Sequence, residues 1–293
     1  MRFPFVSYKH KSHTGPDISS PLGRKKLSLN RTNDQLATAQ KRVSTGFRVA
    51  DSTDDGAAYA VAQSVRSTVG ALTSANQQLG NVQGLLSTTQ SGLNNISNTM
   101  ASMRDVLVKL SDANVQGNDR TNYQRQYQSL LDNVQTFIPD ASYNGKTLIG
   151  DLSGSNGTFA RVAVARNESG SSYGIATFGG SAMYGSINFT TTQMDSADTI
   201  AALITASGTF INQMNAVGRA LNTIGSSINY VANQISYNKD KIDALNVGLG
   251  ALVDADLARE SAQLQSLQIR QQLGTQALSL ANQAPQTLLS LFK

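Results

Sequence analysis

Apolar residues recur over the first third of the chain at alternating spacings of four and three residues. From Val61 to Leu110, thirteen of the fifteen positions on this spacing are apolar. A period near 3.5 residues keeps one stripe of a long helix facing a partner helix. The pattern therefore predicts a helix over residues 58–110, on the order of 80 Å long. Its predicted core residues are Val65, Leu72, Leu79, Leu86, Leu93, Ile96 and Leu107.

A second stripe of the same kind runs from Phe210 to Leu252, where twelve of thirteen positions are apolar. It predicts a helix over residues 206–252 of roughly 70 Å. The exception is Asn238, and a polar residue in such a stripe either sets the register of packing or lies exposed near the end of the seam. The predicted core residues here are Leu221, Ile228, Ile235 and Leu245.

Between these stripes lies the pattern of a shorter helix, from Tyr123 to Phe137, which Pro139 is expected to end. The three segments predict an up–down helical hairpin closed by a distant third helix. Four glycines in the first helix indicate either exposed positions or the close approach of a partner helix. They are Gly70, Gly80, Gly84 and Gly92.

Three aspartates, Asp51, Asp54 and Asp55, precede the first long helix. Carboxylates at a helix start accept bonds from the free backbone N–H groups and face the positive end of the helix dipole. A metal or acid site would need further ligands, and residues 27–293 contain no histidine or cysteine. The pattern favours helix capping.

Residues 140–200 are rich in Gly, Ser, Thr and Asn, and polar and apolar residues alternate from Thr158 to Ala165. Further extended runs are predicted at Tyr173–Phe178 and Ser186–Thr191, and Asn144-Gly145 is a tight-turn signal. The predicted fold is mainly α, a long antiparallel coiled-coil-like helical bundle with a small β-hairpin insert in the middle.

The last segment predicts one more helix, from Leu257, with a thinner apolar stripe and an apolar tail that includes Leu291. An apolar chain segment beside a polar, Gln-rich helix is typical of a docking surface. The apolar positions of this stripe are Leu257, Leu264, Leu267, Leu278, Ala281, Leu288 and Phe292, and Pro285 also lies on it.

Charge and composition exclude several classes of functional site. The chain has 24 Lys and Arg against 19 Asp and Glu, and residues 1–26 hold six of the basic side chains and one acid. Both histidines lie in that arm, and the chain has no cysteine. Thiolate, disulfide, zinc and histidine chemistry are therefore not expected, so we predict no enzyme, cofactor or metal site. We also expect no membrane span and no cleaved export signal.

Five short segments resemble those of bacterial flagellins, in the family's order along the chain. Residues 44–49 (STGFRV) and 54–58 (DDGAA) are similar to the family's SSGxRI and DDxAG segments, and residues 143–148 (YNGKTL) to its FNG turn. Residues 254–256 (DAD) resemble its link into the last helix. The ending from Leu278 to Leu291 resembles LxxANQxPQxxLxLL, which adds Asn282, Gln283 and Gln286 to the expected polymerisation residues.

The resemblance implies a structural subunit that polymerises into an extracellular flagellar filament for swimming motility. It implies an inner coiled-coil layer from 28–50 and 254–293, rod helices over 51–139 and 206–253, and an outer β-rich insert over 140–205. Residues 1–27 do not match the family, and we expect them to form an atypical, disordered basic arm. Implied partners are further copies, the flagellar export machinery, an export chaperone, and the filament cap and hook-junction proteins. Nucleic acid is not expected.

Alternatives remain at this point. The chain could be a hook–filament junction protein, or a surface-displayed adhesin of flagellin type that binds polysaccharide. Residues 1–27 depart from the family pattern, and three interpretations are open. The segment is an alternative or misassigned translation start, a specialised end, or a basic patch for acidic polymers or nucleic acid. Arg104 stands at the family's receptor-contact arginine, but Gln126 replaces its acidic partner, so recognition by an innate receptor is not expected.

Overall fold

The computed structural model of the protein describes residues 21–150, 152 and 162–291. This part of the chain is mainly helical, which confirms the predicted fold class. The helices are α1 (Pro21–Thr45), α2 (Gly56–Leu110), α3 (Gly117–Asp140), α4 (Gly180–Ile187), α5 (Thr191–Met194), α6 (Ala197–Leu203), α7 (Thr209–Val253) and α8 (Leu257–Leu291). The strands are β1 (Ser142–Tyr143), β2 (Lys146–Thr147), β3 (Val162–Ala165) and β4 (Ser172–Ile175).

The helices predicted from the 3.5-residue period are confirmed as α2, α3, α7 and α8. Two boundaries differ from the prediction. Helix α3 continues through Pro139 because this proline lies in the last turn, where the Ala141 N–H closes the helix on the Phe137 carbonyl at 3.2 Å. Helix α1 begins at Pro21, so disorder is wrong for residues 21–27, since proline is well suited to the first turn of a helix. Residues 1–20 of the predicted arm lie outside the described residues.

The chain divides into two compact units. Unit 1 holds α1, the start of α2, the end of α7 and α8, and unit 2 holds residues 66–246. The core of unit 1 is small and consists of Val49, Ala58, Ala62 and Val253. Val61, which the periodicity placed on the buried stripe, is 54% exposed because Ala58 and Ala62 carry the buried face at this end of α2.

Unit 2 has the larger core, built from α2, α3, α7 and the segment between α3 and α7. On α2 the predicted core residues Leu72, Leu79, Leu86, Leu93, Ile96 and Leu107 are fully buried, whereas Val65, in unit 1, is half-buried.

On α7, five buried positions are spaced seven residues apart, and Ser227 and Val253 are buried outside this series. The five are Phe210, Val217, Ile224, Val231 and Asn238. The predicted core residues Leu221, Ile228, Ile235 and Leu245 are only half-buried. The stripe on α7 therefore has one set of positions facing the core and another set on its flank, which the alternating spacing alone does not distinguish.

Between α3 and α7, the described residues form two antiparallel two-stranded sheets and three short helices. Asn144 and Gly145, with φ of 49° and 72°, form the tight turn between β1 and β2. The extended run predicted at Ser186–Thr191 is wrong, because α4 ends and α5 begins there. Met183 and Ile187 are buried four residues apart on one face of α4, and Thr190 and Gln193 form a capping box for α5.

None of the described helices is both long and apolar enough to cross a membrane.

Candidate polymerisation site

Helices α1 and α8 pack against each other in unit 1 and run in opposite directions. Arg42 Nη1 lies 3.0 Å from Glu260 Oε1, and farther along the pair Gln271 Nε2 donates to Asn33 Oδ1 at 2.9 Å. Leu29 lies beside Gly274, where an added Cβ would come within 3.1 Å of the leucine Cδ1. Residues late in α1 therefore contact residues early in α8, and residues early in α1 contact residues farther along α8. The two helices are antiparallel.

The connector after α1 is bonded to the link before α8. Gly46 ends α1 with φ of 75°, a conformation that favours glycine, and its N–H bonds the Arg42 carbonyl at 2.9 Å. The Gly46 carbonyl accepts from the Ala255 N–H at 2.9 Å, and the Arg48 N–H donates to the Val253 carbonyl at 2.7 Å. Two of the segments that carry the flagellin resemblance, 44–49 and 254–256, thus meet in one place.

The three aspartates before α2 cap that helix or form ion pairs with α1. Asp55 Oδ1 accepts from the Ala58 N–H at 3.0 Å and caps α2, which confirms the capping interpretation for this residue. Lys41 Nζ lies 2.7 Å from Asp51 Oδ2 and 2.9 Å from Asp54 Oδ2. These bonds to Lys41 hold the pKa of both carboxyls below its usual range.

Across the described part of the chain, no three His, Cys, Asp or Glu side chains are grouped so that they could hold a metal ion.

The predicted polymerisation residues of α8 differ in exposure. Leu267 is 3% exposed and packs inward, Leu264 and Leu278 are half-buried, and Leu257 is 50% exposed. The backbone of Ala281, Asn282, Gln283, Pro285, Gln286, Leu288 and Leu291 is helical, but their side chains lie outside the described ones, as does all of Phe292.

Further apolar side chains of α8 lie exposed where the stripe did not place them. Ile269, Leu273 and Leu280 are 57%, 59% and 68% exposed, and Leu27 on α1 is 41% exposed. The predicted stripe does not include them because it follows one seam, whereas α8 carries leucine and isoleucine on more than one face. Exposed apolar residues that group on a surface are typical of protein–protein contact sites.

Comparison with known proteins identifies the family. Residues 24–156 match the bacterial flagellin N-terminal helical region, and residues 204–292 match the bacterial flagellin C-terminal helical region. The chain is 30% identical over 270 residues to flagellin FljM of Caulobacter vibrioides, covering 91% of this chain and 94% of that protein. It is 31% identical over 274 residues to a flagellin of Brucella melitensis, with the same coverage.

The chain belongs to the bacterial flagellin family. This flagellin is a structural subunit of the extracellular flagellar filament, in which flagellins polymerise with copies of themselves, and it is not an enzyme. The predicted family and function are confirmed.

Proposed function

We propose that copies of this flagellin polymerise through the α1–α8 pair, with residues of α8 as the main contacts between subunits. The observation that carries the proposal is the exposure of Leu257, Ile269, Leu273 and Leu280 along a single helix of unit 1. Exposed apolar area of this kind is stabilised when a second subunit removes it from water. The predicted residues from Ala281 to Phe292 extend the same apolar segment.

The experiment is deletion of residues 257–293. We expect the shortened chain to keep the helices of unit 2, because the core of that unit lies wholly within residues 66–246. It should fail to form filaments when sheared wild-type filaments are added as seeds. Circular dichroism reports the fold, and sedimentation reports assembly. Filaments of the shortened chain would contradict the role given to α8.

The partners of the filament pathway are part of the same proposal. Flagellins travel through the flagellar export machinery, and we propose that this chain uses an export chaperone, a filament cap and hook-junction proteins as the family does. Arg104 and Gln126 are both exposed, and the missing acid at Gln126 argues against recognition by an innate receptor.

Two other roles are compatible with the family. A hook–filament junction protein would add to hook ends without elongating, and an adhesin would bind polysaccharide as a monomer. Elongation of seeds by the purified wild-type chain separates the filament subunit from both.

A further inference from the structure

A basic recess lies between α1 and α8, and its volume is about 470 Å³. Three cationic side chains line it, Lys25 and Arg31 from α1 and Arg270 from α8. All three are exposed, so a ligand can reach them from solvent. None of the described residues that line the recess is acidic.

Uncharged polar residues and small residues complete the basic recess. Ser28, Thr32 and Gln35 line it on α1, and Gly274 and Ala277 line it on α8. The Thr32 hydroxyl donates to the Ser28 carbonyl at 3.0 Å, which leaves the Ser28 hydroxyl and the Gln35 carboxamide as further donors toward a ligand. Gly274 and Ala277 leave room beside these donors because their side chains are absent or short.

The three cations of the basic recess have no carboxylate partner within the described part of the chain, where the ion pairs involve other basic residues. Asp34, the only acid in the sequence of α1, lines a different recess beside Arg42. In the sequence, residues 281–293 contain no Asp or Glu, and residues 1–20 contain only Asp17. Cations that line one recess without a carboxylate partner repel one another, so an anion that binds among them is stabilised.

The α1–α8 pair as a whole is also basic. Its two helices together contain eight Lys and Arg residues but only two acids, Asp34 and Glu260. Subunits that polymerise through this pair bring surfaces of the same charge close together. This repulsion opposes assembly, and an anion bound at the pair reduces it.

We propose that the basic recess binds a divalent oxyanion, phosphate or sulfate, and that the bound anion promotes polymerisation. Guanidinium groups bind such oxyanions with two parallel hydrogen bonds, and Arg31 and Arg270 provide two guanidinium groups from opposite helices. Lys25 adds a third charge, so the bound anion removes most of the positive charge of the recess. The inference rests on the proposed function, because it assigns a ligand to the helix pair through which copies are proposed to join.

The first test measures binding by the full-length monomer in the absence of seeds. Inorganic phosphate is titrated at constant ionic strength and followed by isothermal titration calorimetry. We expect saturable binding that Arg270→Gln weakens about tenfold, because this variant removes one charge-assisted contact. Lys26→Gln is the matched control, since it removes the same charge from an exposed position of α1 that does not line the recess. It should leave the affinity nearly unchanged.

The second test measures the effect of the anion on assembly. Seeds are elongated in phosphate and in chloride at equal ionic strength, and the remaining monomer concentration is determined by sedimentation. Phosphate and sulfate strengthen the burial of apolar surface in every protein, so the salt effect alone does not test the site. The comparison between variants does. We expect Arg270→Gln to lose most of the difference between phosphate and chloride, whereas Lys26→Gln keeps it.

Each outcome supports or contradicts the inference. Absence of saturable binding by the wild-type monomer would overturn it, as would equal phosphate effects in Arg270→Gln and Lys26→Gln. Weaker assembly of Arg270→Gln in both salts, without phosphate binding by the wild type, would mean that an acidic group of another copy occupies the recess.

Two further measurements keep the test independent of folding and of the proposed function. If Arg270→Gln melts well below wild type, Arg31→Gln on the other helix replaces it and should weaken phosphate binding in the same way. Failure of the wild-type chain to elongate seeds in either salt would contradict the proposed function, whereas binding of phosphate by the monomer is measured without assembly.

Discussion

Asn238 is a buried polar residue in the apolar stripe of α7, and all of its side-chain hydrogen-bonding atoms are used. Its Nδ2 donates to Asn76 Oδ1 on α2 at 2.8 Å and to the Arg166 carbonyl after β3 at 3.0 Å. Its Oδ1 accepts from Gln234 Nε2 at 2.9 Å. Of the two readings that the sequence left open, exposure at the seam's end is wrong, and the contacts favour a role in setting register.

We predict that Asn238→Ala destabilises unit 2 by about 1–3 kcal/mol, because it leaves Asn76 and the Arg166 carbonyl without this partner. Urea unfolding followed by circular dichroism measures the change. Asn233→Ala, at an exposed position of the same helix, is the matched control and should change stability by less than about 0.5 kcal/mol. Equal stability of the two variants would show that the buried bonds contribute little.

The contacts of Lys41 predict a loss of stability in acid. Because its bonds lower the folded-state pKa of Asp51 and Asp54 from the usual 3.8, their stabilisation is present above that pH and is lost as the pH falls below it. We expect the melting temperature of Lys41→Met to fall less than that of wild type between pH 6 and pH 2. Lys239→Met, exposed on α7, should keep the wild-type slope. The same slope in both variants would exclude this contribution.

At the scale of elements, the glycines of α2 have two different surroundings. A Cβ at Gly80 would meet nothing within 4 Å, whereas one at Gly92 would lie 2.5 Å from the Ala141 Cβ. The alternative of close approach is therefore correct for Gly92, but the neighbour is the segment before β1 and not a partner helix.

We predict opposite effects of alanine at these two positions. Gly80→Ala should stabilise α2 by up to about 1 kcal/mol, because alanine is the better helix former and has room. Gly92→Ala should destabilise by about 1–3 kcal/mol through overpacking against Ala141. Thermal unfolding of both variants gives the comparison. A stabilising Gly92→Ala would mean that the β1 segment moves aside at little cost.

The long elements could be predicted because their stripes repeat over many turns. The phase of burial on α7 could not, since Leu221 and Ile224 are both apolar and only the packed partners decide which one is buried. Arg120 was also missed. It bonds the Val115 and Leu110 carbonyls at 2.9 and 2.8 Å and the Met194 carbonyl across 74 residues, and no local pattern encodes that last contact.

In the predicted polymerisation site, the helix could likewise be predicted from the sequence, whereas its long-range contact could not. Periodicity predicted α8 as a Gln-rich helix with a thin apolar stripe, and the motif near its end indicated the family. The Arg42–Glu260 pair joins residues 218 positions apart, and no local pattern indicates such a contact.

At the scale of the whole molecule, the formal excess of charge belongs to one unit. Unit 1 carries 13 Lys and Arg against 8 Asp and Glu, and unit 2 carries 11 of each. The larger apolar core lies wholly inside unit 2. The two units therefore differ in net charge and in the size of their apolar cores.

We predict that residues 66–246, produced alone, fold cooperatively and remain monomeric. All the buried residues of the larger core are retained, whereas the α1–α8 pair is removed. A sharp melting transition by circular dichroism and a monomer mass by light scattering are the expected results. A fragment without cooperative unfolding would show that unit 2 depends on residues outside its own core.

The antiparallel pairing of α1 with α8 also affects the order in which contacts can form during folding. A chain that emerges with α1 first has to wait for α8, more than 200 residues later, before Arg42 meets Glu260. Contacts of such long sequence separation form late in folding, while the local contacts of unit 2 are available earlier. The surface proposed for joining other subunits therefore forms only after nearly the whole chain has become available, so a partly emerged chain does not yet present it.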